Sequence, residues 1–310
     1  MSDRSAIEWT DASWNPIRAR NLKTGKVGWH CEHVTTGCER CYAEGINKRL
    51  GTGLPFKPGH RKDVEIFLDE KMLRAPRRWA KPRKIFVCSM TDLFADFVKD
   101  EWLDRIFATM LLSPHHTFQV LTKRPERMRA YTTSERAIGP VEAQKRWWPL
   151  PNVWLGVSCE RQEEADERIP LLLQTPAAVR FISAEPLLGP IRLMRIPVKI
   201  PGEPGYGDCQ IDWCIVGGES GPNASPMHPD WARSLRDQCQ AAGVAFFFKQ
   251  WGAWRLTPAD NGDETWPAQW PYPGQPRRGD VARLERVGKK AAGRLLDGRE
   301  HSAFPEIAAS

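Results

Sequence analysis

Residues 153–186 read VWLGVSCERQEEADERIPLLLQTPAAVRFISAEP, and this stretch contains the unit from which the fold follows. Residues 153–157 form an apolar run too short for a helix, 163–174 space their apolar residues with a helical period, and 179–183 form a second apolar run. Near-continuous apolar strands suit a parallel sheet covered on both faces, and parallel neighbours need a crossover such as a helix between them. Working outward, similar runs stand at 64–68 (VEIFL), 84–88 (KIFVC), 117–121 (TFQVL), 212–216 (DWCIV) and 244–248 (VAFFF), and a further strand is expected within 12–30. Amphipathic stretches lie between them at 100–112 and 229–243, the second with Pro229 in its first turn and Gly243 at its C-terminal cap. Strand and helix alternating about eight times predict an α/β fold, a (β/α) barrel that is complete or partial and TIM-like. It is expected over residues 1–254, followed at 255–310 by an appendage or lid rich in Pro and Trp, with Pro267, Pro271, Pro273 and Pro276.

Composition bounds the function. With 310 residues, 41% hydrophobic and 27% charged, the chain belongs with ordinary globular proteins rather than disordered or fibrous ones. No apolar run reaches bilayer length, and the N-terminus MSDRSAIEWTDASWNPI lacks the apolar core of a signal peptide. A cytoplasmic location without membrane contact is therefore expected. In that compartment thiols stay reduced, so the eight cysteines are ligand candidates or buried apolar residues before they are disulfides. The net charge of +7 suits a polyanionic partner, nucleic acid first. It equally suits a basic enzyme whose excess is spread over the surface.

The sequence WHCEHVTTGCERCYAEG (29–45) sets Cys31, Cys38 and Cys41 in a C-x6-C-x2-C pattern, which lets a short loop turn three thiolates toward one point. Three protein ligands leave one coordination position open, as a reactive metal site requires. His30 or His33 would complete a closed zinc site of four ligands. Cys88 and Cys159 lie near strand ends and are further candidates for a fourth ligand, although buried apolar cysteine is the preferred reading. Cys209, Cys214 and Cys239 show no ligand spacing.

Active sites of (β/α) barrels form at the C-terminal ends of the strands. Those ends supply Asp92, then Lys123 and Arg124, then Ser158 and Glu160, then Glu185, then Gly217, Gly218 and Glu219, and finally Lys249. Carboxylates and cations together suggest a polar site, with Lys123, Arg124, Glu160, Glu185 and Lys249 as catalytic or substrate-binding candidates. Asp92, Ser158, Gly217, Gly218 and Glu219 are cofactor-side candidates, with Tyr42 beside the cysteines. Each has a plainer reading: strand ends are polar in any case, Pro125 opens a helix behind Lys123-Arg124, and GGESG (217–221) is compatible with a tight turn. His115-His116 precedes a strand and is expected to be structural.

The motifs WNP, C-x6-C-x2-C-Y-A, LTKRPERM, NVWLGVSCE, FISAEPLLGPI, DWCIVGGESGP and FFFKQWG, spread from Trp9 to Pro305, resemble a phage- and prophage-encoded family of unknown function. That family is the gene product 37/68 family, also described by its three-cysteine motif. Its cysteine set and barrel are similar to those of radical S-adenosylmethionine (SAM) enzymes. The resemblance implies a [4Fe–4S] cluster on Cys31, Cys38 and Cys41, with SAM at the open iron and a 5′-deoxyadenosyl radical that abstracts hydrogen from a substrate. The radical-SAM pattern is C-x3-C-x2-C with an aromatic before the last cysteine; here the first gap is six residues and Arg40 holds that place, with Tyr42 after it. The Gly-Gly-Glu of those enzymes follows an early strand, whereas Gly217-Gly218-Glu219 follows a late one, so SAM contacts are not carried over by motif. From strand-end position, Glu219 or Glu185 is expected to hold the amino-acid end of SAM, and Lys123, Arg124 and Lys249 an acidic substrate. A nucleic acid or nucleotide is the expected substrate, and a co-encoded protein is a possible partner. The alternatives are a zinc-stapled nucleic-acid-binding protein and a zinc-dependent barrel hydrolase or nuclease.

Overall fold

A computed structural model describes residues 5–138, 148–193, 211–257 and 283–306. Cys209 and, within the expected lid, residues 258–282 with the four prolines at 267, 271, 273 and 276 lie outside these residues.

In chain order the elements are β1 (Ala12–Trp14), β2 (Ile17–Asn21), β3 (Val27–Gly28), α1 (Tyr42–Leu50), β4 (Val64–Leu68), α2 (Glu70–Leu73) and β5 (Lys84–Val87). Then follow α3 (Asp100–Leu111), β6 (Thr117–Thr122), α4 (Pro125–Thr132), α5 (Glu135–Ile138), β7 (Val153–Ser158), α6 (Gln162–Leu173) and β8 (Val179–Ala184). The chain closes with β9 (Trp213–Gly217), α7 (Pro229–Ala241), β10 (Ala245–Gln250), β11 (Trp254–Thr257), β12 (Arg283–Arg286) and α8 (Lys289–Ala292). A seven-stranded parallel sheet runs in the order β1-β5-β6-β7-β8-β9-β10. The mixed α/β class and a parallel sheet flanked by helices are as expected. Among the described residues the sheet has seven strands, one fewer than a complete barrel.

One expected strand of the parallel sheet lies in a different sheet. VEIFL does form β4, but β4 pairs antiparallel with β2 in a small side sheet, β3-β2-β4. Glu65 explains why: it stands exposed in the middle of the run and pairs with Arg20 at 2.5 Å, which a strand covered on both faces could not accommodate. The strand expected within 12–30 is β1, which aligns Ala12 with Ile85 of β5, while β2 and β3 of the same stretch belong to the side sheet.

The chain divides into two compact units, Met1–Val157 with Leu171–Arg180, and Ser158–Pro170 with Phe181–Ser310. In the first, α3 buries Leu103, Ile106, Phe107 and Met110, the i, i+3, i+4, i+7 stripe of an amphipathic helix. In the second, α7 buries Trp231, Ala232, Leu235 and Cys239. Pro229 opens that helix and Gly243 follows it at φ +68°, as the sequence indicated. The tail is part of the second core: Phe304 stacks on Trp213 at 5.0 Å, whose indole N–H donates to the Ala303 carbonyl at 2.9 Å.

Candidate metal and active site

The cysteine loop is held at both ends by one asparagine of α1. Asn47 is fully buried; its Oδ1 accepts from the N–H groups of Trp29 (2.9 Å) and Thr52 (3.1 Å), and its Nδ2 donates to Thr52 Oγ1 (2.7 Å) and the Leu54 carbonyl (2.9 Å). Gly28 must be glycine here, because a Cβ would lie 2.3 Å from the Thr52 nitrogen. Three residues before Asn47 on the same buried face, Glu44 accepts from the Phe56 N–H at 3.0 Å and contacts Lys48 and His33 Nε2, the latter at 2.8 Å. Burial pushes the Glu44 carboxyl up, but Lys48, Phe56 and His33 outweigh it and hold it below the usual carboxylate range.

Cys31 and Cys41 pack together against Ala43, Phe56 and Met90. Burial pushes the Cys31 thiol up to about 12, with Asp92, Cys41 and Cys38 adding to the shift and Arg124 opposing it. Burial also raises Cys41, opposed by the backbone N–H groups of Glu44 and Ala43 at the start of α1 and by Lys123, with Cys38 adding. The three thiols therefore lie within electrostatic reach of one another, beside both cations expected from the sequence. Burial thus favours the neutral thiol at Cys31 and Cys41, and a bound cation is what would stabilise their thiolate forms. The donor set suits a thiophilic metal or an iron–sulfur cluster in kind. Among the described residues, however, no group of three or more His, Cys, Asp or Glu is arranged as a ready metal site. Neither histidine joins the thiols as a ligand would. His33 is on Glu44, and His30 sits against Phe97 at 5.2 Å with Nε2 3.4 Å from Glu32, its pKa lowered chiefly by burial. Cys88 and Cys159 are both buried, and Cys88 turns the end of β5 at φ +56°.

Asp92 connects the strand ends of this unit to the loop. Its Oδ1 accepts from Thr122 Oγ1 (2.7 Å) and the Phe94 N–H (2.9 Å), and its Oδ2 from the Lys123 N–H (3.0 Å) and Arg124 Nη1 (3.1 Å). Arg124 Nη2 then reaches the carbonyl of Glu32, next to Cys31, at 3.1 Å. Arg124 thus serves to position the loop. Tyr42, immediately after Cys41, donates its hydroxyl to the Ser89 carbonyl at 3.0 Å and leaves its ring exposed. Asp92→Asn keeps the volume but loses the ion pair with a mostly buried Arg124, so unfolding in urea should show a loss of about 3 kcal/mol. Adding Arg124→Met to Asp92→Asn should cost little more. Two independent, additive losses would refute the coupling.

The other candidates belong to the second unit. Lys249 of β10 pairs with Glu185, just past β8, and the strand between them, β9, places Gly217 beneath the pair, where a Cβ would lie 3.3 Å from the Glu185 carboxyl carbon. The first two glycines of GGESG, Gly217 and Gly218, serve close packing. A Cβ on Gly218 would come within 2.1 Å of the Trp251 carbonyl oxygen, and the Gly218 N–H is donated to the Gln250 carbonyl at 2.9 Å instead of to a ligand. Glu219 is buried and accepts from the Ser225 N–H at 2.7 Å. Glu160 lies inside the protein, at 3.3 Å from the fully buried Arg168, which also donates to the Ser158 carbonyl at 2.8 Å. Glu160 is thus buried in an ion pair with Arg168.

Asn47, Glu44 and Arg168 were not picked out from sequence, although each left a trace. Arg168 falls on the stripe of Ala165, Ile169 and Leu172, and a charge on an apolar face indicates a buried partner. Asn47 and Glu44 share one face of a short polar helix whose buried residues are otherwise limited to Ala43.

Among the described residues no helix is long and apolar enough to cross a membrane, and none of the seven described cysteines is in a disulfide. A family model described as a protein of unknown function (DUF5131) matches residues 4–305. No curated protein and no solved structure matches the chain.

Proposed function

We propose that this chain, which belongs to the DUF5131 family of proteins of unknown function, is an iron–sulfur enzyme of the radical-SAM type that acts on nucleic acid. The observation that carries the reading is the donor set: Cys31, Cys38 and Cys41 share one partly buried neighbourhood while His30 and His33 contact carboxylates. A set of three thiols favours a cluster with one open iron over a closed zinc site. Cys31, Cys38 and Cys41 would hold a [4Fe–4S] cluster, which with SAM bound would supply one-electron cleavage of a sulfonium bond. The chain's own residues prepare the place. Asp92 and Arg124 fix the carbonyl next to Cys31, Lys123 lends positive charge beside Cys41, and Tyr42 presents an exposed ring to an adenine or a base. In the second unit, the Glu185–Lys249 pair sets a carboxylate and an ammonium across the end of β9, suited to orienting an acidic substrate group. Net charge +7 supports a nucleic-acid substrate.

Anaerobic purification should give a brown protein absorbing near ~400 nm with about four irons, lost in the Cys31→Ser/Cys38→Ser/Cys41→Ser variant. Reduced protein should then cleave SAM. A colourless wild type holding one zinc would refute the proposal.

A further inference from the structure

Residues 17–62 hold ten Lys and Arg against three Glu, one of two strongly basic stretches of the first unit; the other, 71–84, holds seven Lys and Arg and no acid. The longer stretch comprises β2, β3, the cysteine loop, α1 and the turn before β4, all in the first unit. Hydrogen bonds lock its pieces together. Asn21 Nδ2 donates to the Thr52 carbonyl at 2.9 Å, and the Leu22 N–H to the Asp63 carbonyl at 3.0 Å. The backbone at Gly28 lies directly against that of Gly51 and Thr52. The turn carrying Lys23 and Lys26 is therefore anchored to the helix end carrying Lys48 and Arg49 and to the strand entry carrying Lys62. These five side chains and Lys57 are exposed, and among the described residues only Lys48 of the six has a carboxylate partner, Glu44. The same lobe carries Leu22, Val27, Val34, Tyr42 and Leu50, five of the eight large apolar side chains exposed among the described residues.

We propose that this lobe is a docking surface for single-stranded nucleic acid, placed so that the bound strand runs beside the three cysteines. It deepens the reading above and rests on its nucleic-acid part. Unpaired cations on a rigid frame neutralise phosphates and release counterions. Open apolar side chains, Tyr42 foremost, accept the faces of unstacked bases, which a duplex does not offer. The cations and the apolar side chains occupy the same lobe, which favours a single strand over a purely acidic protein.

Fluorescence anisotropy of a labelled mixed-sequence oligonucleotide, as single-stranded DNA, single-stranded RNA and duplex, across a salt series with the full chain, tests this. Lys23→Gln/Lys26→Gln/Arg49→Gln should weaken single-strand binding about tenfold or more and flatten the log–log salt slope by about 2, at about 0.7 per lost phosphate contact. Lys289→Gln/Lys290→Gln/Arg299→Gln, removing the same charge from exposed sites of the second unit, should change little. Equal loss in both variants would overturn the proposal, as would tighter binding of duplex or of poly-glutamate, or no salt-dependent binding by the wild type. Measuring iron and SAM cleavage on the same preparations separates the two claims. Cluster chemistry without lobe-dependent binding overturns this inference alone, and lobe-dependent binding without iron overturns the proposed chemistry alone.

Discussion

Gly252→Ala should destabilise the protein by about 3–5 kcal/mol, as the sum of a left-handed backbone and a clash that no rotamer relieves. Gly252 has φ +83°, and a Cβ there would come 2.1 Å from the carbonyl oxygen of Glu219. The obstacle is main chain, and the reciprocal approach of Gly218 to the Trp251 carbonyl is equally close, so neither segment has room to withdraw. Gln250 closes the arrangement, donating to the Gly218 carbonyl at 3.1 Å and accepting from the Gly252 N–H at 2.8 Å. Gly45→Ala is the control. It lies inside α1 with open space around its Cβ position, so the same substitution should stabilise by about 0.5–1 kcal/mol. Urea midpoints of the two variants should move in opposite directions. A Gly252→Ala protein as stable as the wild type would show that the two turns do not pack as described.

Arg168→Met should cost about 3–5 kcal/mol, because it leaves Glu160 buried without its guanidinium. Both side chains are fully buried, at 0% exposure, and the pair is imperfect: Arg168 Nε and Nη2 have no hydrogen-bond partner. The desolvation of those two donors is never recovered, so the pair is expected to contribute little net stability even though breaking it is costly. The double variant Glu160→Gln/Arg168→Met should therefore recover most of the loss. Chemical denaturation of the single and double variants gives the coupling directly. A double variant as unstable as the sum of the two single changes would overturn this account, because additive losses mean that the two side chains are not coupled.

What was legible in the sequence was whatever depends on local pattern. Apolar runs alternating with amphipathic stretches identify parallel strands and their crossovers because burial on both faces and helical spacing are written residue by residue. Pro229 and Gly243 mark the ends of α7 for the same reason. The cysteine spacing, too, suffices to bring Cys31, Cys38 and Cys41 into one neighbourhood, because an eleven-residue span cannot carry them far apart. Strand partners were not legible. VEIFL is a genuine strand, but the only hint that it joins the side sheet was Glu65. The same limit governed the strand-end residues. Position alone made Glu160 and Arg124 resemble site groups, whereas burial and partners made one the mate of Arg168 and the other a strut between Asp92 and the cysteine loop. The glycines at 217 and 218 read equally as a ligand turn or a tight turn in the sequence; in the fold Glu185 and the Trp251 carbonyl stand where their side chains would be. By itself, then, the sequence determined which segments become strands and helices, where the three thiols gather, and how the charge is distributed along the chain. Only the tertiary structure decided which strands pair, which charges are buried together, and which basic residues share a surface, because those depend on contacts between residues far apart in the chain.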